Sequence, residues 1–348
     1  MPTRLIDRDR LRALLEDAAR HRIAIVGDAM LDVYLRGDVD RISPEAPVPV
    51  VRVRDRRFAL GGAANVAQNV SAIGATSELV AIIGADAPAV QLRGMLAALG
   101  GAERGLVEGA RATTTKTRIV ARAQQLVRVD EEVDDECSPA EVERLIAAVT
   151  AAVADSDALI LEDYDKGVLV PRVIEHAVSL ATRKGIPVVV DPKYRNFFSY
   201  RGATVFKPNR RELEAALGAA VDVDNPATLP GLIERLGVQS ILLTLSERGM
   251  TLIEKGASAS GVHRIPTTAR EVYDVVGAGD TVTAYLAAML ASGATPLEAA
   301  VVANFAAGVE VGKLGAATVT PAEVLAAYDG HSEPAPSRAG RPGAVVRS

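Results

Sequence analysis

The segment DVVGAGDTVTAYLAAML sets the turn Gly277-Ala278-Gly279 and the carboxylate Asp280 directly before a long apolar run. The run predicts a helix, and the amides of a helix's first turn have no carbonyl of their own to bond. With the positive end of the helix dipole they form an anion site, which glycine lets a ligand approach closely. An aspartate there can simply cap the helix, and an isolated run of this kind is more often that than anything else. The same pairing has a second use. Phosphoryl transfer needs amides to neutralise the moving charge and a carboxylate to take the proton of the attacking hydroxyl.

Three other segments hold residues suited to such work. In LGGAANVAQNVSAIGA the pair Gly61-Gly62, with Asn65 after it, opens a helix and exposes amides to hydroxyl or phosphate oxygens. GDAMLD puts Asp28 and Asp32 just after an apolar strand, where carboxylates accept hydrogen bonds from sugar hydroxyls; Asp28 taken alone reads as readily as a solvated loop acid. KPNRRELEAALG supplies Asn209 and Glu212, enough to organise a hydrated magnesium ion, and the same spacing is a helix capping box.

The elements that must position these groups are legible from periodicity. IAIVG (Ile23 to Gly27) reads as a buried parallel strand. From about residue 33 to 60, charges, three prolines and the alternating VPVVRVRDRRF suggest exposed antiparallel strands, a small lid standing off the main sheet; a second alternating patch, 113–130, could join it. Strands such as ALILED, PVVVD and SILLTLS then alternate with helical segments. That pattern implies an α/β fold with a mostly parallel central sheet and helices on both faces. One domain over residues 1–329 is expected, with a Pro-, Gly-, Ser- and Arg-rich disordered tail over 330–348.

Composition narrows the function. Aromatics are 3% with no Trp, and the net charge is −5, which argue against nucleic acid as a partner. One cysteine, Cys137, excludes a disulfide framework. No run reaches the 18 apolar residues of a membrane span, and the acids in MPTRLIDRDRLRALLEDAARH suit an amphipathic helix rather than a signal peptide, so a cytoplasmic location without membrane contact is expected. No G-x-x-x-x-G-K-[ST] loop and no HRD or DFG motif occurs, and GDAMLD replaces the dinucleotide fingerprint after the first strand.

Two of these segments together carry a family likeness. VYDVVGAGDTVTAYLA resembles the C-terminal signature of the ribokinase-like (PfkB) sugar kinases, and LGGAANVAQNVSAIGA resembles their N-terminal one. The resemblance implies that Asp280 is the catalytic base and Gly277, Ala278 and Gly279 the anion hole, with Asp32, Gly61, Gly62 and Asn65 on the sugar. It implies ATP and magnesium as cofactors, with Asn209 and Glu212 matching the family's N-x-x-E motif. LLTLSERGM resembles the nucleotide strand-turn, placing Thr244, Ser246 and Gly249 near ribose or phosphates, and Asn304 falls where the family lines the adenine pocket. Asp274 and residues 312–320 match a loop that often binds potassium.

GDAMLDVYLRGDVDRISPEAPVPVV, TKTRIVARAQQLVRVDEE, LEDYDKGVL and DPKYRNFFSYRGATVFKPN further resemble bacterial heptose kinases. Those enzymes convert D-glycero-β-D-manno-heptose 7-phosphate to the 1,7-bisphosphate. A sugar phosphate substrate demands cations; Lys116, Arg118 and Lys193 are the first choices, ahead of Arg122, Arg128 and Arg195, and Asp163 is a further substrate contact. Glu162 departs from the small residue expected there. No H-x-G-H pair occurs among the four histidines, so a separate nucleotidyltransferase is expected downstream. The resemblance also implies a homodimer paired through the lid. A kinase for another sugar, such as ribose or fructose 6-phosphate, and a non-catalytic sugar sensor are the alternatives.

Overall fold

The computed structural model describes residues 5–332, apart from residues 101, 123, 226–227, 256–260 and 270. Strand β1 (Arg22–Gly27) sends Ile23 and Ile25 into one apolar core and Ala24 and Val26 into another. A strand apolar on both sides needs a helix layer against each face. The first layer holds α1 (Arg8–Asp17), α2 (Ala63–Ile73), α3 (Ala87–Ala97), α8 (Ala278–Ala291), α9 (Pro296–Glu310) and α10 (Pro321–Ser332). The second holds α4 (Pro139–Ala154), α5 (Pro171–Lys184), α6 (Arg210–Leu217) and α7 (Pro230–Leu236).

The other strands of the main sheet are β4 (Thr76–Ile83), β5 (Gly105–Glu108), β8 (Ala158–Glu162), β9 (Val188–Asp191), β10 (Val205–Phe206), β11 (Ser240–Thr244), β12 (Met250–Glu254) and β13 (Val262–Ile265). Among the described residues their order is β13-β12-β11-β10-β9-β8-β1-β4-β5. All neighbours from β11 to β5 pair parallel, and β12 and β13 add an antiparallel edge. The chain leaves β1 toward β4 and β5, then returns on the other side of β1 with β8. Strand order therefore reverses between β1 and β8, and ligands of such sheets bind at the carboxyl ends of the strands beside that reversal.

The lid is a second sheet of β2 (Ala29–Ile42), β3 (Pro49–Gly62), β6 (Thr115–Ala121) and β7 (Gln124–Glu131), ordered β3-β2-β6-β7. It differs from the expectation in two ways. β2 pairs with β6 in parallel, the other two pairs being antiparallel. The strands also start closer to the core, because Ala29 to Val33 are buried. Alternation in sequence marks an exposed strand and misses its apolar root, so the lid is anchored one residue after β1. The short β5, β13 and α7 were not foreseen, since elements of four to seven residues carry too little pattern. At the far end α10 continues through Gly330 to Ser332, into the span expected to be a tail; residues 333–348 lie outside the described residues.

Candidate active site

Asp280 is the third residue of α8, and Gly277 caps the helix with φ +96°, a left-handed conformation that favours glycine. A side chain on Gly277 would also stand 3.2 Å from Ala316. Asp280 does not cap its own helix. Its Oδ2 accepts a hydrogen bond from Asn65 Nδ2 at 2.6 Å, and its Oδ1 accepts one from the Tyr164 hydroxyl at 2.9 Å. The first-turn amides of Gly279 and Asp280 are left without an intrahelical acceptor. Burial raises the Asp280 carboxyl to about 6; the bonds from Asn65 and Tyr164 hold it down from going further, and Asp191 pushes it up.

The residues expected on the sugar converge on the same carboxylate. Asn65 lies on the first turn of α2, which Gly62 opens at φ +56°. A Cβ on Gly61 would sit 3.3 Å from Asp32 Oδ2, so the glycine pair passes directly over that carboxylate. Asp32 is buried at the root of β2, and its Oδ1 accepts from Arg118 Nη1 at 2.6 Å. Arg118, on β6, also lies 5.2 Å above the Tyr34 ring. Thus Asp32, Gly61, Gly62, Asn65, Arg118 and Asp280 form one continuous patch.

Other predicted residues are turned elsewhere. Asp28 takes backbone N–H bonds from Tyr164 and Lys166 on Oδ2 and from Val168 on Oδ1, and it is buried. It frames the loop after β8. Asp163 is likewise occupied, by the Tyr200 hydroxyl at 2.6 Å and the Asp165 amide at 2.8 Å. Burial pushes its carboxyl up to about 7. Lys116 points between Asp130 and Glu132, at 3.3 and 2.8 Å. Lys193 bonds Glu212 and lies 5.2 Å over the Tyr164 ring, which puts it beside α6 and not on the lid.

On the nucleotide side, Asn209 and Glu212 complete the capping box of α6, each side chain bonded to the other's amide. The remaining Glu212 oxygen faces Lys193. A hydrated cation can therefore meet Glu212 only through water or by displacing Lys193. Thr244 ends β11 beside Asn209, and Ser246 follows with φ +54°. Gly249 is required by packing, since a Cβ would fall 2.2 Å from the Ile265 carbonyl oxygen. Asn304 tethers the Pro266 carbonyl at 2.8 Å. Asp274 accepts from the amides of Val276 and Gly315, tying the segment before the glycine turn to the loop expected to bind potassium.

Sequence reasoning missed four groups at the strand ends: Glu162 of β8 was noted only as a departure, and Tyr164, Asp191 and Lys207 were not singled out. Lys207 Nζ bonds Asp191 Oδ2 at 2.7 Å, both buried. A Cβ on Gly279 would lie 3.7 Å from Lys207 Nζ, so the lysine stands over the glycine turn. Glu162, Asp191 and Asp280 each bring a carboxylate oxygen within 4.8 Å of the others. Both oxygens of Glu162 are buried without a hydrogen-bond partner among the described residues. Burial, then repulsion from Asp191 and Asp280, drives its carboxyl well above the usual range. Hard oxygen donors with orphaned lone pairs are a set that suits magnesium. The only signal for these residues in sequence was their place just past apolar strands.

Comparison with known proteins agrees with this geometry. The chain is 44% identical over 335 residues to the bifunctional protein HldE of Rhodospirillum rubrum, covering 94% of this chain and 66% of that protein. It is 47% identical over 313 residues to the same-named protein of Azorhizobium caulinodans, covering 88% and 64%. The chain thus spans about two thirds of the length of these curated relatives. In fold it is similar to an Arabidopsis thaliana ribokinase complexed with ribose and ATP (TM-score 0.68, 19% identity, 88% of this chain and 98% of that one). It is also similar to Escherichia coli phosphofructokinase-2 in complex with potassium (TM-score 0.72, 18% identity, 90% and 100%). The model of the pfkB family carbohydrate kinases matches residues 20–323, a span that takes in every group of the site, and the chain belongs to that family: it is a carbohydrate kinase, a phosphotransferase with an alcohol group as acceptor.

Proposed function

We propose that this kinase transfers the γ-phosphoryl group of ATP to the anomeric hydroxyl of D-glycero-β-D-manno-heptose 7-phosphate, giving the 1,7-bisphosphate. The observation that carries the reading is the Asp280 carboxylate, held by two donors beside the Gly279 and Asp280 amides, which have no intrahelical acceptor. The likeness to the HldE proteins and to heptose kinase segments supports the choice of sugar. Asp280 takes the proton of the hydroxyl as its oxygen attacks phosphorus. The Gly277–Gly279 amides and Lys207 face the charge that develops on the phosphoryl oxygens. Bound magnesium would neutralise phosphate charge, with Asn209 and Glu212 reaching it through water and Asp191 and Glu162 offering further oxygens. Potassium would sit in the loop that Asp274 braces.

Arg118 is the first cation for the substrate's own phosphate, because Lys116 is already enclosed by two carboxylates. That enclosure favours a second reading, a kinase of the same family for another sugar or sugar phosphate. A dimer through the lid is supported by β7, an edge strand with every residue exposed, Leu126, Val127 and Val129 among them. Sedimentation equilibrium should give twice the chain mass, and Val127→Asp should return it to one; a monomeric parent would remove the dimer.

A panel of sugar phosphates with ATP, read by ADP release and by NMR of the product, should select the heptose 7-phosphate and show new phosphate on C1. Turnover confined to another sugar would replace the substrate while leaving the kinase. Asp280→Asn should bind ATP as the parent does and lose about 10²- to 10⁴-fold in kcat. The base works only when ionised, and its carboxyl is raised to about 6, so kcat/KM should be flat above that pH and fall about tenfold per unit below it. A profile level down to pH 4 would remove Asp280 from the role.

A further inference from the structure

We infer that Tyr164 is a positioning residue for phosphoryl transfer: its hydroxyl fixes the Asp280 carboxylate, and the grip of Asp28 on the Tyr164 backbone fixes the hydroxyl. The inference rests on the reading of Asp280 as the base. Asp28 directly follows β1 and Tyr164 lies two residues past β8, so the pair spans the reversal in strand order. Asp28 Oδ2 accepts from Tyr164 N at 2.8 Å and Lys166 N at 3.0 Å, and its Oδ1 from Val168 N at 3.2 Å. A carboxylate that accepts three amides in succession sets the course of that loop with little freedom left.

The ring is seated as firmly as the backbone. A Cβ on Gly62 would come 2.4 Å from the Asp28 carbonyl oxygen, so the bare glycine lets β3 pass against the residue that holds the Tyr164 amide, with the ring edge 3.5 Å from the same point. Lys193 Nζ lies 5.2 Å from the ring centroid. The hydroxyl then has one direction, toward Asp280 Oδ1 at 2.9 Å. Burial, and the nearby charges of Asp280 and Asp191, keep the phenol protonated, so it serves as a donor throughout. Asn65 holds the other oxygen at 2.6 Å. Two donors from different elements, α2 and the loop after β8, thus set both the position and the tilt of the base. Phenylalanine would fill the same space and leave Oδ1 without its donor.

The test is Tyr164→Phe in the full chain, assayed with ATP and the sugar phosphate selected by the panel. A misaimed base lowers kcat by about ten- to hundredfold while KM for both substrates stays within about twofold. An unchanged kcat, or a loss confined to KM, overturns the inference, and in that case a dead Asp280→Asn still upholds the base. An active Asp280→Asn sinks the base itself. A second measurement needs no turnover. With 3-fluorotyrosine at position 164, the ¹⁹F resonance should move between parent and Asp280→Asn, because the fluorine neighbours the hydroxyl that bonds the carboxylate. An identical resonance in the two chains overturns the inference as well.

Discussion

Only 6% of the surface of Asp280 is exposed, and a carboxylate taken that far from water stays ionised only when fixed donors replace its hydration. Asn65 and Tyr164 are those donors, one per oxygen. Much of the surrounding arrangement follows from the same requirement applied to its neighbours. Asp191 is answered by Lys207 and Glu212 by Lys193. Glu162, which no cation touches, responds by holding its proton. The site therefore sets two lysines against its acids, with one carboxyl left neutral. A nucleotide triphosphate arriving here brings several negative charges, and the two lysines are the groups placed to exchange a carboxylate partner for a phosphate oxygen. Asp191 would repel it once Lys207 turned to the phosphates, and a divalent cation, which could also replace the proton on Glu162, is the natural companion of the phosphates at this point.

The fold makes this density of charge attainable. Asp28, Glu162, Asp191, Lys207 and Thr244 all lie at or just past the carboxyl ends of β1, β8, β9, β10 and β11, which are parallel neighbours. Parallel register brings those ends level, so Asp28 meets the Tyr164 amide, 136 positions later in sequence, within hydrogen-bond range. α8 then delivers Asp280 and its amides from the opposite direction, packed on α2 and α9 in the first core. The lid grows from the same place. Because β2 begins one residue after Asp28 and β3 ends at Gly62, the two lid strands carry Asp32 and the glycine pair to the base without an intervening loop.

This explains what could be read in the sequence and what could not. The glycine turn, Asp280, Asn65 and the paired glycines announce themselves because their chemistry is local: a turn, a helix start, a carboxylate beside it. The strand and helix alternation fixed the sheet for the same reason, through period and apolar runs. Partners across the fold left no such mark. Nothing in LEDYDKG tells that Tyr164 will point at a residue 116 positions later, or that Asp28 will be consumed by three amides of that segment. Asp163, beside Tyr164 in the same motif, was expected at the substrate and is instead bonded to Tyr200. Adjacent strand-end residues face opposite ways, and a one-residue choice of face separates a site residue from a core one.

The basic residues show the same limit in another form. Lys116 was among the first cations expected at a substrate phosphate, yet it and Lys166 are shared among Asp130, Glu132 and Asp134. A cation already paired gives up one favourable contact to gain another, so its net pull on a phosphate is smaller than its charge implies. Arg118 is placed differently. Its guanidinium spends one nitrogen on Asp32 and the Lys116 carbonyl and rests on Tyr34, and its flat fork has further N–H groups to offer. Since Asp32 lies under the glycine pair that leads to Asn65 and Asp280, a sugar bound there can touch Arg118 at one end while its reacting hydroxyl meets the base at the other. Selectivity for a phosphorylated sugar would then reside in one arginine held by one aspartate.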